Sequence, residues 1–250
     1  MNCYKGAKSL QGYETSEHHM SAMAMVRHGL KCGIPIILGY LPVAITFGVL
    51  AQQAGLSLLE LTLMSVFVYA GASQFMGVNM IAASVHSIEI IVATFVLNFR
   101  HFVMSLSFMN EARHYYGLPA RFGLSLLLTD EAFAVSAIHK DEMKKHHSVY
   151  FYTTIFLSAY LSWIIGSLLG GVVGEIMPER LSQSMGIALY AMFIGLLIPS
   201  VKKNIKVGYI ALIAMLINLI ASQFMSEGWA IVVGTVLGGL TGVHFLKERP

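Results

Sequence analysis

Long apolar runs alternate with short polar breaks along nearly the whole chain. A bilayer core about 30 Å thick takes roughly 20 apolar helical residues per crossing. By that measure the runs predict eight spans: 33–54, 58–84, 88–109, 118–139, 148–174, 184–201, 205–225 and 228–246. The expected fold is all-α, a polytopic transmembrane helical bundle. Residues 1–32 form a polar N-terminal segment, 33–246 the membrane domain and 247–250 a short tail. The first 32 residues lack an apolar core followed by a small-residue cleavage site, so they read as a cytoplasmic segment rather than a removable signal.

Two spans contain helix breakers. Span one, GIPIILGYLPVAITFGVLAQQAG, holds Pro35 and Pro42 among Gly33, Gly39 and Gly48. Proline lacks a backbone donor and crowds the preceding turn. Span two holds YAGASQF, where Ala70, Gly71, Ala72 and Ser73 offer little side chain before Gln74. Interrupted helices are expected in both. Non-helical backbone at membrane depth survives only against protein or a wet cavity, and unwound segments near the midplane recur in transporter sites. An ordinary kink with no site attached is the plain alternative for each.

Span five carries Ser158, Ser162, Gly166, Gly170 and Gly174 at four-residue spacing, and span eight repeats the pattern with Gly234, Gly238 and Gly242. Small residues so spaced let a second helix approach closely. These are expected as helix-packing faces, within the chain or toward a partner subunit.

Composition narrows the class. Hydrophobic residues make up 56% of the 250 and charged residues 12%, about half the usual share in a soluble domain. The mean hydropathy is +0.69. Such a chain cannot clothe a water-facing surface. Charge placement then sets orientation. With the N-terminus inside, twelve of the sixteen Lys and Arg fall on the inner side, only Arg113, Arg121 and Arg180 fall outside, and Arg100 lies within the membrane. Cationic loops resist translocation, so both termini are expected in the cytoplasm. The inner loop at 85–87 contributes no Lys or Arg to this bias.

The intramembrane charges are the candidate chemistry. Arg100 lies twelve residues into span three and Asp130 twelve residues into span four, beside Thr129 and Glu131. With the two spans antiparallel and a rise of about 1.5 Å per residue, their depths differ by about 4 to 5 Å. A lone charge at the bilayer centre costs at least about 2.5 kcal/mol, so an Arg100–Asp130 or Arg100–Glu131 pair is expected. The pair is either a clasp between helices or part of a site. Asp130 and Glu131 point about 100° apart, which leaves one carboxylate for another cation or a proton. Asn98 and His101 share a helix face three residues apart and suit the same cavity. His101 alone is a hydrogen-bonded interior histidine before it is a metal ligand.

Enzyme motifs are missing. There is no H-E-x-x-H, no G-x-x-x-x-G-K-[ST] and no G-x-S-x-G, and so no metal site, cofactor or catalytic role is expected. Cys3 and Cys32 have no metal-ligand spacing. The basic clusters are anchors at the cytoplasmic face rather than a nucleic-acid platform.

The segments GIPIILGYLPVAITFGVLAQQAGLSLLE, VYAGASQF, VLNFRHFVMSLSF and LLTDEAFA, in this order between Gly29 and Ile138, resemble the AzlC family of bacterial branched-chain amino acid permeases. The first 28 residues match nothing in that pattern. The resemblance implies a multi-pass protein of the bacterial inner membrane that exports branched-chain or similar apolar amino acids together with a small AzlD-like membrane subunit. Under that reading Arg100, or a helix N-terminus freed near Gly71 and Ser73, holds the substrate carboxylate. Asp130 or Glu131, or freed backbone carbonyls, holds the ammonium. Gln74 and Asn98 join the polar lining, and Phe47, Phe75, Phe99 and Phe102 receive the side chain. With no ATP-binding motif, proton coupling through Asp130, Glu131 or His101 is the economical energy source. A non-transporting scaffold subunit and a channel for a small neutral solute are the rival readings.

Overall fold

The structure is a computed structural model that describes residues 21–176, 194–195 and 197–245. No strand occurs among them. The helices are α1 (Ala22–Gln53), α2 (Leu58–Phe67), α3 (Gly71–Ala82), α4 (Ser87–Ala112), α5 (Leu118–Leu126), α6 (Asp130–Ile138), α7 (Ser148–Gly174), α8 (Ile205–Ala221) and α9 (Glu227–Phe245), with a 3-10 turn at Lys140–Lys144 and a further helical stretch at 197–203. Three of them, α1, α4 and α7, are long and apolar enough to cross a membrane. The expected sixth span, 184–201, lies largely outside the described residues, as do 1–20 and 246–250.

The described chain divides into two compact units. The first holds 21–39 and 101–162, the second 40–100 and 163–245.

In the second unit, α1 and α7 run side by side in the same direction. Gly166 meets Leu41 and Ala44, Gly170 meets Ile45, and Gly174 meets Val49 and Gln52. Gly48 answers from α1: a Cβ there would overlap the Ser167 carbonyl oxygen. The first unit shows the same direction, with Gly29 against Phe151 and Thr154 and Gly33 against Ile155 and Ser158. This contact on both units explains a correction. α1 is one continuous helix through Pro35 and Pro42, so the expected interruption of span one is absent. Each proline deletes one donor from the ladder. Close packing on α7 outweighs that loss, and the Thr46 hydroxyl donates to the Pro42 carbonyl at 2.9 Å.

Span two does break. α2 opens with a capping box in which Ser57 and Glu60 satisfy each other's backbone donors, and such a box is a strong local start signal. It ends at Phe67, and Tyr69 takes φ +40°, a left-handed conformation uncommon for a bulky residue. α3 then folds back. The Met64 methyl lies 3.1 Å from where a Gly77 Cβ would be. Thirteen residues of straight helix would separate them by about 20 Å. Residues 58–82 are therefore a helical hairpin.

Residues 118–139, expected as one helix, are also two. Thr129 is extended (φ −123°, ψ 174°) and its hydroxyl accepts from the Ala132 N–H, capping α6. In the first unit the fully buried Tyr152 locates both ends of this segment. Its ring packs edge-on to Tyr116, just before α5, with centroids 6.2 Å apart. Its hydroxyl donates to the carbonyl of His139, just after α6, at 2.8 Å. The segment thus leaves and returns at one place, a second hairpin. In the second unit α8 and α9 pack antiparallel, with Gly234 on Asn218 and Ala214, Gly238 on Ala214 and Gly242 on Ile210.

Candidate functional site

The bend of the first hairpin gathers the polar side chains of the second unit. Gln74 is fully buried. Its side-chain oxygen accepts from the Trp163 indole N–H at 2.9 Å and from the Ala70 backbone N–H at 3.2 Å. Its amide nitrogen donates to the Ser65 hydroxyl at 3.1 Å. Ser65 donates to Ser167 at 2.8 Å, and Ser167 donates to the Trp163 carbonyl at 2.6 Å. The ring of bonds closes on Trp163. Two donors facing one atom also fix which end of the Gln74 amide is oxygen. Ser73, fully buried, donates to the Ala70 carbonyl at 2.9 Å.

Around this network sits an aromatic collar. Phe47 and Phe75 meet edge-to-face at 5.6 Å, Phe47 stacks on Trp163 at 6.3 Å, and Tyr40 meets Trp163 edge-on at 5.5 Å. Gly71 is required here. A Cβ on it would come within 2.8 Å of the Trp163 ring. Ala70, the residue capping α3, makes no side-chain cap bond, so the first turn of α3 opens at the bend with its positive dipole end.

The structure therefore brings Phe47, Gly71, Ser73, Gln74 and Phe75 together. Asn98 and Arg100 belong to the same unit on α4, both half-buried. The Asn98 carbonyl oxygen is buried and has no hydrogen-bond partner among the described residues. His101, Asp130 and Glu131, also half-buried, belong to the first unit. Asp130 and Glu131 occupy the first turn of α6, where the helix dipole favours negative charge. Phe99 and Phe102 are 53% and 55% exposed on α4, unlike the buried Phe47 and Phe75. Ser158 and Ser162 lie in the first unit, each donating to its own helix. The stripe glycines of α7 lie on α1, and those of α9 on α8.

Sequence reading missed Trp163, Ser65 and Ser167. Trp163 had a usable signal. It stands mid-helix in α7, 4% exposed and flanked by Ser162 and Ser167, whereas a membrane tryptophan ordinarily sits at the interface.

The profile of the AzlC protein family matches residues 35–177, more than half of the chain. An uncharacterized membrane protein of Archaeoglobus fulgidus is 32% identical over 232 residues, 90% of this chain and 99% of that protein. Inner membrane protein YgaZ of Escherichia coli is 27% identical, covering 88% of this chain and 90% of its own length. The branched-chain amino acid transport protein AzlC of Bacillus subtilis is 24% identical, covering 91% and 87%. No solved structure matches at comparable stringency. The profile match, together with full-length similarity above 30%, makes this chain a membrane protein of the AzlC family.

Proposed function

We propose that the chain is the large subunit of a secondary exporter of branched-chain or similar apolar amino acids. It works in the bacterial inner membrane with a small AzlD-like subunit and is driven by protons. A relative named for branched-chain amino acid transport supports the cargo class. The observation that carries the reading is the buried bend of the first hairpin: an uncapped helix start, a locked polar network and an aromatic collar in one place.

The cargo presents a carboxylate, an ammonium and a branched hydrocarbon. Arg100, or the first-turn N–H groups of α3, takes the carboxylate. Asp130 or Glu131 takes the ammonium or the coupling proton, with His101 as a relay. The unpartnered Asn98 oxygen is a second acceptor for the ammonium. Phe47 and Phe75 shape the apolar part. Gly71, Ser73 and Gln74 act by holding the bend, since the polar atoms of Ser73 and Gln74 already have partners. A charge at the depth of Arg100 is costly in the membrane unless it is compensated, which favours a role in the site over a passive one.

Replacing Asp130 with Asn and following valine efflux against an imposed proton gradient tests the coupling role. Efflux should continue downhill but lose its response to the gradient. Unchanged coupled efflux would reject the role. Arg100→Gln should lower apparent affinity for valine at least tenfold at normal protein level, and normal transport would remove Arg100 from the mechanism.

A further inference from the structure

We propose that residues 58–82 and 118–138 are re-entrant. Each enters the membrane and returns to the face it left, so the chain crosses three times, not five, between 22 and 174. The inference holds for any cargo.

α1, α4 and α7 have 32, 26 and 27 residues. At about 1.5 Å per residue each exceeds the roughly 30 Å core. Their directions follow from contacts in the first unit. His28, near the start of α1, stacks on Phe151 near the start of α7 at 5.0 Å. Phe108, near the end of α4, packs on Tyr152, again near the start of α7, at 6.1 Å. The start of α1, the end of α4 and the start of α7 thus share one membrane face. The chain from the end of α1 to the start of α4 then begins and ends on the other face, and 58–82 makes no net crossing. By the same argument 118–138 begins and ends on the first face.

The legs fit this role. α2, α3, α5 and α6 have 10, 12, 9 and 9 residues, between about 13 and 18 Å each, near half the core. The folding-back contacts are Met64 on Gly77 in one hairpin and Tyr152 on both ends of the other.

Charge agrees independently. Five crossings put Arg113 and Arg121 outside. Three crossings place both on the inner face with Lys140, Lys144 and Lys145. Of the eight Lys and Arg between 22 and 174, seven then lie inside and Arg100 lies within the membrane, whereas five crossings leave five inside and two outside. Three crossings give the stronger inner bias.

The two topologies exchange the faces of loops 83–86 and 113–117. In a C3S/C32S background, single cysteines at His86 and Tyr115 are labelled with a membrane-impermeant maleimide, on intact cells and on inverted vesicles. Lys144→Cys, inside in both schemes, marks vesicle orientation. Ala83→Cys and Arg113→Cys stand in if either first variant fails to accumulate. The proposal expects the His86 site to react from outside and the Tyr115 site only in inverted vesicles. The reverse pattern, or both loops on one face, overturns it.

Discussion

At the scale of single residues, Gln74 and Trp163 matter most. Replacing Gln74 with Leu strands the buried Trp163 indole N–H and the Ala70 N–H and removes the amide donor to Ser65, while Ser65 and Ser167 keep their own bonds. Each unsatisfied buried donor costs about 1–3 kcal/mol. Trp163→Phe deletes one donor and leaves Gln74 still bonded to Ala70 and Ser65, so its penalty should be about 1 kcal/mol plus lost packing. Thermal unfolding in detergent should rank wild type above Trp163→Phe above Gln74→Leu. Gln74 was legible in sequence because an amide in a greasy span stands out. Its partners were not, because Ser65 and Ser167 look like ordinary membrane serines until the hairpin brings them together. Asp130 teaches the converse. Its charge was legible, but Thr129-Asp130-Glu131 is also a helix start, a cap followed by two acids in the first turn. Reading it as mid-helix hid the break. Outside the spans, burial pushes the Tyr116 hydroxyl up to about 12. A raised phenol pKa means that the folded state disfavours the anion. The stability Tyr116 contributes is therefore whole below pH 10 and lost as pH rises through about 12. Tyr116→Phe should flatten the alkaline limb of unfolding in that window.

At the scale of elements, the α1–α7 contact organises the chain. A Cβ on Gly170 would overlap the Ile45 carbonyl oxygen, backbone that cannot swing aside. Gly170→Ala should cost about 1–3 kcal/mol or more as overpacking. Gly39, in α1, has nothing within 4 Å of its Cβ position. Gly39→Ala should therefore stabilise the helix by about 0.5–1 kcal/mol. Paired melting curves separate the two, and equal shifts would deny the close contact. The stripe on α7 was visible from its four-residue spacing, but its mate on α1 was not. Gly33 and Gly48 stood among prolines and read as breakers, and nothing in the spacing singled out Gly29 or Ala44.

At the scale of the whole molecule, apolar length alone misleads. A run of about 25 apolar residues is one crossing or two half-depth legs, and hydropathy cannot tell them apart. Span 58–84 has the length of a crossing, yet a tight bend at 68–70 folds it in half. Span 33–54 has two prolines, yet it stays one uninterrupted helix packed on α7. The all-helical class was therefore legible in sequence, whereas the location of the breaks depended on contacts between residues far apart in the chain. The exposed stripe of Ile91, Phe95, Phe99, Phe102 and Leu106 on α4 is apolar enough to face lipid.

The transport claim is tested most directly by counterflow of labelled valine in proteoliposomes holding the purified chain and its small membrane subunit. Saturable uptake, accelerated by unlabelled valine inside and with at least tenfold weaker apparent affinity in Arg100→Gln, is the expected result. Flux that never saturates, or no flux beyond empty liposomes with both subunits present and folded, would contradict it.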